Sequence, residues 1–132
     1  MASLVRKATI RDNPFIRPPF AYALFVHTGN RSHAGTDANV TFTLRGSAGS
    51  ASVTFDTQKL YRMERGDWNF LILQTGDLGS LQDITVQRDN QGNAPDWYLD
   101  RIQVRSARYG VAVGAVYDCW IDTTNPYTRA LV

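Results

Sequence analysis

Glutamate, lysine and cysteine are among the residues this sequence has least of. Glutamate occurs once and lysine twice in 132 residues, whereas eleven Asp, ten Gly and a large share of Thr supply turn and strand chemistry. That balance points to an all-β chain, long enough for a single core. One cysteine, Cys119, excludes an internal disulfide and the zinc patterns built on paired cysteines, and it suits a reducing compartment. No apolar run approaches the ~18 residues of a spanning helix, and the opening MASLVRKATIRDNPF lacks the apolar stretch of a secretory signal. A soluble, cytoplasmic protein is the expectation. The twelve Arg are scattered without a block of about five like charges, and the net charge is only +2, so no nucleic-acid partner is expected.

What is present is alternation. Residues 1–20 hold three of the five prolines and read as an extended arm. From there Tyr22, Leu24 and Val26 alternate with Ala23, Phe25 and His27, and Val40, Phe42 and Leu44 alternate with Thr41, Thr43 and Arg45. Val53 and Phe55, Trp68 to Leu73, and Leu81, Ile84 and Val86 mark further strands, separated by Gly-rich turns at 46–50 and 75–79. WYLDRIQVR breaks parity, and a bulge near Leu99 and Asp100 would restore Leu99, Ile102 and Val104 to one side. Val111, Val113 and Ala115 lead to a last strand ending near Ile121. About seven or eight short strands at even spacing indicate an antiparallel β-sandwich. The sandwich is expected over 21–123, with 124–132 as a C-terminal tail.

Two loops are richer in oxygen than a turn requires. TGNRSHAGTDAN carries Asn30, Asp37 and Asn39 among glycines, and DNQGNAPDW carries Asp89, Asn90, Asn93 and Asp96, with Pro95 fixing the backbone ahead of Asp96. Calcium takes six to eight such oxygens, about that many in irregular geometry. Asp and Asn in loops equally serve Asx-turns and strand-end caps, and the spacing matches no stand-alone metal motif. If both loops meet at one end of the sandwich, their carboxylates need a cation, a proton or an Arg partner.

The ordered set HTGNRSHAGTDANVTFTLRG, MERGDWNFLIL, DLGSLQDITVQRDNQGNAPDWYLDRIQV and CWID resembles the PLAT family, the sandwich domain of polycystins, lipoxygenases and clostridial alpha-toxin. The resemblance runs from about Tyr22 to Asp122. It implies two four-stranded antiparallel sheets and a stand-alone module that binds a lipid or membrane surface, or a protein partner, assisted by calcium. Carried over position by position, it implies Gly35, Thr36, Asp37, Asn39, Asp89, Asn90 and Asp96 as calcium ligands. It also implies that Trp97, Leu99, Ile102, Phe42 and Phe70 are core residues. Docking on anionic lipid in this family uses exposed apolar residues at the loop tips, but the tip here reads Asn30-Arg31-Ser32-His33-Ala34. Trp68 is then the candidate exposed aromatic, against a half-buried or core placement, and Arg31, His33 and Arg88 are candidate contacts.

A calcium-independent protein-interaction module and a small-ligand or biosynthetic enzyme are the alternatives. His27, His33 and Cys119 are the side chains from which catalysis would have to be assembled, and nothing in their spacing brings them together. An enzyme reading requires a pocket between the sheets.

Overall fold

A computed structural model describes residues 20–56, 63–92, 95–106, 110 and 112–132. The expected proline-containing arm therefore lies outside the described residues except for Phe20, as do Asn93 and Val111.

Eight strands form: β1 (Phe20–Thr28), β2 (Asn39–Gly46), β3 (Gly49–Asp56), β4 (Trp68–Thr75), β5 (Leu81–Arg88), β6 (Trp97–Ser106), β7 (Ala112–Ile121) and β8 (Tyr127–Ala130). They pair antiparallel into two four-stranded sheets, ordered β4-β1-β6-β7 and β3-β2-β5-β8. Apart from the start of β6, the strands alternate with period two, so one set of side chains enters the space between the sheets. Tyr22, Leu24 and Val26 meet Val40, Phe42, Leu44, Ile84 and Val86 there, and Trp97, Leu99, Ile102 and Val104 complete the layer. Burying each large apolar side chain is worth roughly 1.5–3 kcal/mol, the term that offsets chain ordering.

The expected bulge is present. Register on β6 shifts between Leu99 and Arg101 against β7, which keeps Trp97, Leu99, Ile102 and Val104 all inside.

Two expectations are corrected. The segment read as a C-terminal tail contributes β8, which pairs with β5 from Asp83↔Ala130 to Val86↔Tyr127. Its four residues are too few for a legible alternation, but the Tyr117 hydroxyl donates to the Tyr127 carbonyl and Arg129 lies over the Tyr117 ring. Phe70 is not core: 53% of it is exposed. Pairing with β1 sets Leu71 opposite Leu24 and Leu73 opposite Tyr22, so Leu71 and Leu73 turn inward and Trp68, Phe70 and Ile72 turn out.

The outer faces differ. On the β3-β2-β5-β8 sheet one cross-strand row reads Ser52, Thr43, Thr85, Thr128. Hydroxyl pairs close across it, Thr43 with Ser52 at 2.7 Å and Thr85 with Thr128 at 2.7 Å, and Thr41 pairs with Thr54 at 2.8 Å one row over.

Candidate functional site

The two oxygen-rich loops do converge. Thr36 Oγ1 donates to the Pro95 carbonyl at 2.6 Å, and Tyr98 N donates to the Ala34 carbonyl at 2.9 Å. Asn39 N and Nδ2 donate to the two carboxylate oxygens of Asp89 at 2.9 and 2.8 Å, while Asp89 N returns a bond to the Asn39 carbonyl. Glycine is needed where the first loop is clasped. A Cβ on Gly29 would sit 2.5 Å from the Tyr98 ring, and one on Gly35 would sit 2.7 Å from the Met63 carbonyl.

Around this seam Thr36 is buried, Gly35, Asp37, Asn39 and Asp89 are half-buried, and Asn90 and Asp96 are exposed. Arg31 stacks over the Tyr98 ring at 4.4 Å. His33 is an exposed loop residue at φ 63 whose ring bonds the Ser32 hydroxyl.

Arg88, expected as an outward contact, is the correction here: it is 3% exposed. Along β5 it follows Ile84 and Val86 on the inward parity, so the pleat drives its stem between the sheets. Its guanidinium is satisfied there. Nε donates to the Ile121 carbonyl at 2.7 Å, Nη1 to the Asp89 carbonyl and the Asn90 side-chain oxygen at 2.9 and 2.8 Å, and Nη2 to Asp96 at 2.9 Å. The alternation Ile84, Val86, Arg88 was the available signal for this burial.

These partners bear on the calcium set that the resemblance implies. Burial would push the Asp89 carboxyl up, but hydrogen bonds from Gln91 N and from Asn39, with the Arg88 charge, outweigh it and hold it below its ordinary value. Asp89, Asn90 and Asp96 thus already accept from protein donors, and a buried guanidinium stands among them. A divalent ion added to that arrangement meets a fixed positive charge and committed oxygens. As arranged, Asp89, Asn90 and Asp96 do not offer calcium an open set of oxygens beside that guanidinium, and among the described residues no three His, Cys, Asp or Glu side chains group to hold a metal.

The second feature is the outer face of the β4-β1-β6-β7 sheet. Three cross-strand rows read Trp68-His27-Arg101-Val116, Phe70-Phe25-Gln103-Gly114 and Ile72-Ala23-Arg105-Ala112. Trp68, Phe70 and Ile72 on β4 are 51%, 53% and 47% exposed, an apolar tract where a sandwich ordinarily shows polar side chains, and Val116 at the opposite edge on β7 is 68% exposed. Phe25 packs on Phe70 with centroids 5.0 Å apart, and His27 stacks on Trp68 at 4.5 Å. His27 Nδ1 donates to Asp100 at 2.7 Å, and Arg101 Nε donates to the same oxygen at 3.1 Å. Arg101 and Arg105 stand in these rows on β6, and Asp100, next to Arg101, accepts from both His27 and Arg101.

Burial would raise the Asp100 carboxyl, yet the bonds from His27 and Arg101 and their charge lower it. A folded value below the unfolded value of about 3.9 means the unfolded chain binds the proton first, so this stabilisation is complete above that pH and is lost as pH falls through the folded value. Acid unfolding monitored by fluorescence is expected to have a shallower slope below about pH 4 in Asp100→Asn than in wild type; superimposable slopes would remove the pairing from the account.

The catalytic candidates stay apart. Cys119 is half-buried, its thiol pushed up by burial, and its sulfur accepts from Arg129 at 3.6 Å. His27 is engaged with Asp100 and Trp68, and His33 is in the loop. A pocket of about 500 Å³ opens between the sheets at the end away from the loops, lined by Tyr22, Asp77, Leu81, Ser106 and Val113, and none of the three candidates lines it.

Comparison with known proteins follows the same lines. The sequence profile described as PLAT/LH2 domain matches residues 22–132. The chain is 34% identical over 134 aligned positions to the polycystin family receptor for egg jelly of Mus musculus, covering 88% of this chain and 6% of that protein. It is 33% identical to lipoxygenase homology domain-containing protein 1 of Homo sapiens, covering 79% of this chain and 5% of that one. In structure it superposes on coral 8R-lipoxygenase, described as calcium-activated via a C2-like domain, with TM-score 0.75, 26% identity and coverage of 84% of this chain and 17% of the enzyme. Clostridium perfringens alpha-toxin shares the fold at TM-score 0.67 and 17% identity, over 83% of this chain and 31% of the toxin.

Proposed function

The chain belongs to the PLAT/LH2 domain family, and from that premise we propose that it is a docking module whose outer β4-β1-β6-β7 face lies on an anionic lipid surface. The exposed tract of Trp68, Phe70 and Ile72 beside Arg101 and Arg105 carries the reading. Aromatic side chains favour the boundary between headgroups and acyl chains, and each Arg near an anionic leaflet adds about 1 kcal/mol that salt screens. The charge sign selects the occupant. Arg101 is already paired with Asp100, so the negative charge of such a surface is the complement that Arg105 would meet.

Cosedimentation with phosphatidylcholine vesicles, with and without phosphatidylserine, tests this. Binding is expected with phosphatidylserine, in chelator, and should weaken about tenfold between low and physiological salt. No binding to either vesicle would sink the lipid reading and leave a protein partner for the same face. Calcium assistance is the second reading, favoured by the calcium activation described for coral 8R-lipoxygenase. It predicts binding only when calcium replaces the chelator, and the environment of Arg88 argues against it.

A further inference from the structure

We propose that Arg88 is a built-in cation: its guanidinium performs the loop-joining, charge-neutralising task that a divalent ion would otherwise perform at this end of the sandwich. Its acceptors carry the assignment. Two backbone carbonyls (Ile121 and Asp89), one amide oxygen (Asn90) and one carboxylate (Asp96) surround it, the same mixture of hard oxygens that calcium collects from irregular loops. They come from three places in the chain: the end of β7, the 89–90 turn and the residue before β6.

One side chain thereby ties the loop 89–96 to both sheets. It is rooted in β5 of one sheet and bonded to β7 of the other. Five N–H donors in a rigid fork suit that task better than an ammonium would, because each acceptor lies in a different direction. The side chain is 2% exposed, so these bonds replace all its hydration, and the pair with Asp96, whose side chain is 61% exposed, keeps the acid at the rim. Asp89, next in sequence, is closed off separately by Asn39 and Gln91. Asp89, Asn90 and Asp96 are consequently engaged without a metal, and docking through the sheet face needs no calcium signal.

The assignment holds whether or not that face meets lipid, and its test does not read lipid. Thermal unfolding and calorimetric titration with calcium chloride are compared for wild type, Arg88→Met and Arg88→Lys. Methionine keeps much of the stem volume and removes the charge. Wild type is expected to show no calorimetric signal and a melting temperature unmoved at about 5 mM calcium, above the weakest dissociation constants of calcium modules. Arg88→Met should melt about 10 °C lower in chelator, having left a buried acceptor set unpaired, and calcium should restore at least about half of the loss by mass action. Magnesium, which demands octahedral geometry and keeps its waters, should restore little. Arg88→Lys keeps the charge but not the fork, so it should fall between the two and ignore calcium. Wild-type binding tighter than about 1 mM overturns the assignment. So does an Arg88→Met protein that is as stable as wild type in chelator, or one that stays destabilised or unfolded at every calcium concentration. A calcium response in Arg88→Lys as large as in Arg88→Met would show that the charge is not what matters, and would overturn it as well.

Discussion

Trp97→Ala is expected to lower the free energy of unfolding by about 3–5 kcal/mol, enough to leave a domain of this size barely folded. The indole is fully buried, its edge meets Phe42 at a centroid distance of 6.4 Å, and its Nε1 donates to Thr28 Oγ1 at 2.9 Å. Removing it opens a large cavity between the sheets and strips the buried Thr28 hydroxyl of its donor. Trp97→Phe separates the two effects. It retains most of the packed area and loses the N–H, so about 1–2 kcal/mol should remain as the cost of the orphaned hydroxyl and the smaller ring. Urea unfolding monitored by far-ultraviolet circular dichroism measures both. A loss under about 1 kcal/mol for the alanine variant would mean that the sheets close over the gap.

The double variant Trp68→Ser, Phe70→Ser should reduce partition onto phosphatidylserine-containing vesicles by about 100-fold or more, while unfolding changes little. Each ring that enters the headgroup boundary contributes on the order of 1.5 kcal/mol, about tenfold in affinity, and the two add because they sit on alternate residues of one strand. Both rings are about half exposed already, so serine removes only their packing on His27 and Phe25. The separation of the two readouts is the informative part. A variant that binds as wild type moves the contact elsewhere on the domain; one that unfolds tens of degrees early makes the rings structural.

Much of the architecture was legible from alternation, because period two is enforced by the pleat at every residue. Tyr22-Leu24-Val26, Val40-Phe42-Leu44 and the parity break at Leu99 translated directly into inward faces and a bulge. β4 did not. Its positions are apolar on both parities, so periodicity could not say whether Trp68, Phe70 and Ile72 or Leu71 and Leu73 turn outward; only the register against β1 decides. β8 escaped because four residues with an intermediate-exposed-intermediate-exposed pattern carry too little hydrophobic contrast. The sequence posed convergence of the oxygen-rich loops as a condition and an Arg partner as one way to neutralise them, but it did not single out Arg88 for that place. Charge makes Arg88 a candidate outward contact, although its place in phase with Ile84 and Val86 puts it inside. A charged residue at the inward parity of a strand end is the pattern that charge-based reading overlooks.

The paired hydroxyls of the β3-β2-β5-β8 face have a consequence at the scale of the whole body. Thr43 with Ser52, Thr85 with Thr128 and Thr41 with Thr54 satisfy one another while remaining wettable, and the opposite broad side is the more apolar one, with Trp68, Phe70 and Ile72 along its β4 edge. The sandwich is thereby a thick slab with a polarity gradient running through its short axis, the counterpart in two stacked layers of an amphipathic helix. At a boundary between oil and water such a gradient would favour the attitude that turns the β4 edge toward the oil, before any individual contact is made.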